Sequence, residues 1–297
     1  MTTRPDTEAD LRGLIRDTAM DGDIPERRDG FRRIASGQPE AMAERVERGG
    51  VSALAVGEGP ELVWFHGGGY VFGAPETHLV LATALARQGL RVLLPRYRLA
   101  PEAPWPAMLE DARAFVAASG PVVLGGDSAG GHLALAVARR TRVEGLALAS
   151  PNTDRTGQSS TRGRDGDLMN DDATDAELAR MAMPGMPPDD PDVSPLVADL
   201  SGLPPLHLEA AGAEILLDDS LLLARAAALA GVDVRLRVTP GQFHMFQLWP
   251  DVLPRGDESL ARLGAFARDA LARDTRSNPR SGAGLTSRKT VVKLSRP

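Results

Sequence analysis

Two short stretches of this 297-residue chain carry residue types suited to nucleophilic chemistry and to the stabilisation of a negative charge. The first, ELVWFHGGGYVFG at 61–73, sets three glycines in a row directly after an apolar run. The second, VVLGGDSAGGH at 122–132, holds Gly126-Asp127-Ser128-Ala129-Gly130 between an apolar run and an Ala/Leu-rich stretch. This is G-x-S-x-G where a strand should turn into a helix, the context that gives the pattern meaning. The flanking glycines let the chain turn so sharply that the serine hydroxyl stands clear of the backbone. A helix beginning there aims its free N–H groups and its positive dipole end at the same point.

The glycine run needs a use, because glycines cost backbone entropy and return little packing. A dinucleotide fingerprint needs glycine at its first, third and sixth positions, and counting from Gly67 the sixth is Phe72. A phosphate loop needs a following Gly-Lys, yet the only lysines are Lys289 and Lys293. A flexible linker does not fit between an apolar strand and YVFG. A set of backbone N–H groups that stabilise a developing negative charge is left standing.

Such groups must be held by regular elements. Short Val/Leu-rich runs at 51–56, 61–65, 90–95, 121–125, 144–149, 204–210 and 232–238 read as strands. The stretches 77–88, 107–118, 128–140, 217–230 and 258–272 read as helices. Continuous apolar strands separated by helices predict an α/β domain whose mostly parallel sheet is covered on both faces. Three regions fall outside the alternation. Residues 1–45 are charged, with helix-like patches at Leu11, Leu14 and Ile15 and at Phe31 and Ile34. Residues 151–200 are polar and Pro-rich with one short helix, and a stretch that long inside a compact domain is usually functional. Residues 273–297 are basic and aperiodic, and are expected to be a disordered tail.

At 42% hydrophobic residues the chain can bury a full core, and its formal net charge of −6 gives no electrostatic case for nucleic acid. With no cysteine, disulfides, zinc thiolates and a cysteine nucleophile are excluded. The N-terminal segment lacks a signal-like apolar core, and no run reaches membrane-spanning length. A cytoplasmic location is the expectation.

HGGGYVFG, YRLAPEAPWPAMLEDA (97–112), GDSAGGHLAL and SPLVADLSGLPPLHLEAAGAEILLDDS together resemble the α/β-hydrolase family of the hormone-sensitive-lipase type, with small bacterial esterases most similar. The resemblance covers roughly residues 60–270. It implies an α/β-hydrolase fold over 46–272, a small cap built from 1–45 and 151–200, and no metal or organic cofactor. It also implies an oxyanion hole made by the N–H groups of Gly68, Gly69 and Ala129. Donors fixed before reaction suit acyl transfer, since losing one typically costs on the order of 100- to 1,000-fold.

The general base must be one of five histidines. His66 belongs to the glycine motif and has a structural role in the family. His78 lies on a helix candidate and is expected at the surface. His132 follows Ser128 by one helical turn and points along the helix, and His207 sits mid-strand, where a buried hydrogen-bonded histidine is expected. His244, in TPGQFHMFQLW, follows a strand and a glycine in a loop, and completes the chain order serine, acid, histidine. For the acid, relatives carry Asp where this chain reads AGAEILLDDS. Aligning the preceding Gly and following Leu implies Glu214, with Asp218 as the alternative. Tyr97, Arg98, Glu102 and Asp127 are expected to serve the scaffold.

The expected function is serine carboxylic-ester hydrolysis, with a small-molecule ester or related acyl compound as substrate and a homodimer as the candidate assembly. Lactone opening, deacetylation or an elimination in natural-product metabolism fits the same motifs. A receptor on this scaffold is the remote alternative, because plant hormone receptors resembling the family lack the catalytic histidine.

Overall fold

The Val/Leu-rich runs form one eight-stranded sheet in the computed structural model, which describes residues 5–35 and 43–277, with side chains as far as Arg273. In chain order the strands are β1 (Glu44–Arg48), β2 (Val51–Val56), β3 (Glu61–Phe65), β4 (Arg91–Pro95), β5 (Val122–Asp127), β6 (Gly145–Ala149), β7 (Leu206–Ala211) and β8 (Val234–Thr239). Their order across the sheet is β1-β2-β4-β3-β5-β6-β7-β8. The β1–β2 and β2–β4 pairs are antiparallel, and from β4 to β8 every neighbour is parallel. All residues of β5, β6 and β7 are buried, as strands covered on both faces must be.

Among the described residues, eight helices surround and overlie the sheet: α1 (Glu8–Asp17), α2 (Ile24–Ala35), α3 (Leu79–Ala86), α4 (Ala107–Ala117), α5 (Ala129–Ala138), α6 (Asp172–Ala182), α7 (Leu217–Leu229) and α8 (Pro254–Ser277). Helices α3 and α8 pack on each other, and α8 lies along β5 to β7. Helix α5 packs on β3, β5 and β6 beside α4, while α7 covers β7 and β8. Trp64, Phe65, Phe115 and Phe246 are the largest fully buried side chains, and two of them come from β3. No described helix is long and apolar enough to cross a membrane.

All seven expected strands form, with ends shifted by a residue or two. Strand β1 was not legible: ERVER alternates charges, and it survives as an edge strand with its outer side in solvent. It also crosses the expected 45/46 boundary. The helix expected over 77–88 begins as a 3-10 turn, Pro75–His78, before α3 starts at Leu79. Proline at the first position of that turn fixes the entry. Helix α8 runs to Ser277, five residues into the segment expected to be disordered. The chain meets no helix breaker there until Asn278-Pro279. The rest of that tail, 278–297, lies outside the described residues, as do 1–4 and 36–42 of the expected N-terminal cap segment.

The N-terminal helices are tied to the body by specific contacts. Arg28 donates to both carboxylate oxygens of Glu102 and to the carbonyls of Val71 and Ala100. The Trp249 indole donates to the carbonyl of Ile34 at 2.9 Å, and the Arg12 guanidinium lies 5.1 Å over the Phe243 ring. Both aromatic rings belong to the loop that carries His244.

Candidate active site

Ser128 stands between β5 and α5 at φ 53°, ψ −121°, a conformation that a residue with a Cβ rarely adopts. Its N–H donates to the Ala149 carbonyl, and its own carbonyl accepts from His132 and Asn152. The turn is tight because α5 rests directly on β3. A Cβ added at Gly130 would lie 2.0 Å from the Phe65 carbonyl oxygen and 2.5 Å from that of His66. Backbone cannot yield there. Gly130→Ala is therefore expected to lower stability by about 3 kcal/mol, the upper end for overpacking. Chemical unfolding checks this, and an unchanged midpoint would contradict it.

The hydroxyl of Ser128 lies 2.9 Å from His244 Nε2, and His244 Nδ1 lies 2.7 Å from Glu214 Oε2. Glu214 also accepts from the Ser150 hydroxyl and the Ala211 N–H, both at 2.8 Å on Oε1. A carboxylate accepts only, so Nδ1 carries the hydrogen and Nε2 is left as the acceptor for the serine proton. All three side chains are buried. They come from the carboxyl ends of β5, β7 and β8, the edge of an open α/β sheet where functional groups gather. Asp218, the alternative acid, instead accepts from the N–H and hydroxyl of Ser160 at the surface.

The electrostatics separate His244 from His66 and His132. Burial pushes the imidazoles of His66 and His132 down to about 3, so both stay neutral and are poor proton acceptors. Burial lowers His244 too, but the hydrogen bond and charge of Glu214, aided by Asp167 and Asp175, more than offset it. The result lies above the ordinary histidine value. His207 is buried on β7 and sits 3.0 Å from Glu209, as expected. His78 is not at the surface: it is fully buried, with Nε2 3.1 Å from Asp127. The 3-10 turn rotates it inward, where it joins the support of the glycine loop.

Asp127 anchors that loop. It accepts from the Trp64 indole at 2.8 Å and from the Gly67 N–H at 3.0 Å. Tyr97 donates to the His66 carbonyl at 2.6 Å and stacks on the His66 ring. Arg98 pairs with Asp111 and Glu102 with Arg28, so these expected scaffold residues do hold scaffold contacts. Gly68 then turns at φ 113°, and a Cβ there would lie 2.7 Å from the Phe72 backbone. The N–H groups of Gly68, Gly69 and Ala129 donate to no group among the described residues. Three unspent donors thus stand beside Ser128.

Ser128, His244, Gly68 and Gly69 line a cavity of about 260 Å³. Its apolar walls include Ile15 of α1, Phe31 and Ile34 of α2, Phe72, Met169 and Leu178 of α6. Among the described residues, no group of three or more His, Asp or Glu side chains could hold a metal ion. Two contributors were missed from sequence: Ser150, which orients Glu214, and Asp167, a cavity residue from the Pro-rich insertion. Neither sits in a recognisable motif.

The α/β-hydrolase fold family matches residues 62–248. The chain is 36% identical over 229 residues to an acetyl-hydrolase of Streptomyces hygroscopicus, covering 72% of this chain and 77% of that one. It is 35% identical over 260 residues to the carboxylesterase/phospholipase LipF of Mycobacterium tuberculosis, covering 79% and 68%. The crystal structure of an esterase from the bacterial hormone-sensitive lipase family superposes with TM-score 0.83 at 33% identity, over 91% of this chain and all of that one. With the fold, the sheet order and these relatives in agreement, the chain belongs to the α/β-hydrolase family of the hormone-sensitive-lipase type.

Proposed function

We propose that this chain is a serine carboxylic-ester hydrolase working through an acyl-enzyme. The observation that carries the reading is the continuous hydrogen-bonded series from Ser128 through His244 to Glu214. Ser128 Oγ attacks the ester carbonyl carbon while His244 Nε2 takes its proton. The carbonyl oxygen becomes an oxyanion, held by the N–H groups of Gly68, Gly69 and Ala129. As the intermediate collapses, the imidazolium protonates the departing alcohol. Water, deprotonated by the same imidazole, then releases the acid and restores Ser128. Every group in the sequence belongs to one protomer.

The cavity of about 260 Å³, with walls apolar along Ile15, Phe31, Ile34 and Leu178 and polar at Arg27, Thr174 and Asp175, suits a short acyl group. Residues of α1, α2 and α6 form those walls, which supports a cap role for the N-terminal segment and the 151–200 insertion. His244, hydrogen-bonded to Ser128, favours catalysis over a receptor.

A panel of p-nitrophenyl esters of rising chain length, run beside simple lactones and aryl acetamides, tests the reading. Short esters are expected to turn over fastest, and a serine-directed phosphonate is expected to label Ser128 alone. Turnover confined to lactones or acetamides would move the reaction, and labelling at Ser159 would move the site.

A further inference from the structure

Glu214 and His244 ride on different loops, one after β7 and the other after β8, and the 2.7 Å contact between them requires those loops to keep their spacing. Asp167 spans both. Its Oδ1 accepts from the backbone N–H of His244 at 3.1 Å, and its Oδ2 from that of Ile215, the residue after Glu214, also at 3.1 Å. Oδ1 further accepts from the Met169 N–H at 3.2 Å, which closes the turn that presents the side chain. The carboxylate comes from the insertion between β6 and β7, so three segments distant in sequence meet on one group.

We infer that Asp167 is a positioning residue whose carboxylate holds the backbones of the acid and base loops in register and presents a negative charge to the imidazole. The inference rests on the assignment of Ser128, His244 and Glu214 given above. A turn-forming aspartate would need only the Met169 contact. Binding the N–H of the base itself and the N–H next to the acid is a different arrangement.

The charges around His244 make Asp167 distinct. Glu214 faces the imidazole from the β7 loop, and Asp167 and Asp175 face it from the insertion; each favours the protonated ring. Asp175 is already bound by the guanidinium groups of Arg155 and Arg162. Arg27 of α2 lines the same cavity but pairs with Glu177, and Asp171 caps the start of α6. Asp167, by contrast, is held by backbone N–H groups.

Asp167→Asn tests the inference. An amide offers one acceptor oxygen, so it cannot serve the Ile215 and His244 N–H groups from separate oxygens, and it carries no charge. Expressed per phosphonate-titrated Ser128, kcat is expected to fall about ten- to one hundredfold with little change in KM, as for misplacement of reacting groups. The sign of the pH effect follows from the base. Neutral His244 is the working form, and a nearby carboxylate stabilises its protonated form, so removing that charge lowers its pKa. The acid limb of kcat/KM is expected to move to lower pH by on the order of half a unit. Asp167→Glu should return the limb toward its original position. An unmoved limb with per-site kcat within about twofold would overturn the inference. So would a drop confined to the titratable fraction, which marks a purely structural role. If the unmodified protein is not labelled at Ser128, the underlying site assignment fails instead, and that result is separate.

Discussion

Ser128→Ala is expected to reduce kcat for any ester substrate by about 10⁴- to 10⁶-fold, the range for loss of a serine nucleophile. Among the described residues, the Ser128 hydroxyl is the one hydroxyl hydrogen-bonded to His244 Nε2. The residual rate should come from the unspent N–H donors and the cavity, which still polarise the carbonyl and bind the acyl group. The fold should survive. Ser128 is held by its backbone bonds to Ala149, His132 and Asn152, and all of these remain in the variant. Its positive φ is as unfavourable for Ala as for Ser, so the strain does not change. Loss of one hydroxyl hydrogen bond costs about 1 kcal/mol. Circular dichroism and a thermal melt alongside steady-state kinetics check the separation of rate from stability. Activity above a per cent or so of the original, with the protein folded, would remove Ser128 from the nucleophile role.

What could be read from the sequence depended on how local the cause was. The turn around Ser128 is set by glycines within two residues of it, and the Gly67–Gly69 bend by its own backbone, so both were legible. The parallel strands β3 to β7 announced themselves as apolar runs because both faces are buried, whereas β8 sets Val and Leu between arginines and is largely exposed. Strand β1 carries mostly charged residues at a sheet edge and gave no such signal. His78 was misplaced because its burial comes from Asp127, forty-nine residues away, and not from helical periodicity. The acids of α7 show the same limit. Asp219, not Asp218, is the buried one, bridging Arg162 and the N–H groups of Thr153 and Asp154. Arg162 in turn binds Asp175, so this ion cluster joins α6 to α7 across the insertion. Nothing in GRDGDLMN suggests that Asp167 meets two loops 48 and 77 residues further on. That meeting exists only once the sheet has ordered β7 beside β8.

Glu214→Gln is expected to lower kcat by about 10³- to 10⁴-fold, as when a triad imidazole loses its orienting carboxylate. The carboxylate now accepts from three donors: the Ser150 hydroxyl, the Ala211 N–H and His244 Nδ1–H. An amide has one oxygen and two N–H donors, so it cannot accept from all three groups through separate oxygens. If that oxygen stays on Ser150 and Ala211, the NH₂ faces Nδ1 and selects the tautomer with hydrogen on Nε2. That nitrogen can then no longer accept the Ser128 proton. The variant also loses the charge that stabilises the imidazolium. Without it, burial dominates, and His244 should drift toward the behaviour of His66 and His132, whose imidazoles burial takes down to about 3. The two effects leave separate marks: a lower plateau in kcat, and an acid limb displaced to lower pH. The displacement should exceed that of Asp167→Asn, because Glu214 hydrogen-bonds the ring directly. Asp218→Asn is the control, since among the described residues the Asp218 carboxylate accepts only from Ser160, at the surface, and its kcat should stay near the original. Kinetics on the two purified variants decide between the acids. A large loss in Asp218→Asn with Glu214→Gln near the original would reverse the assignment.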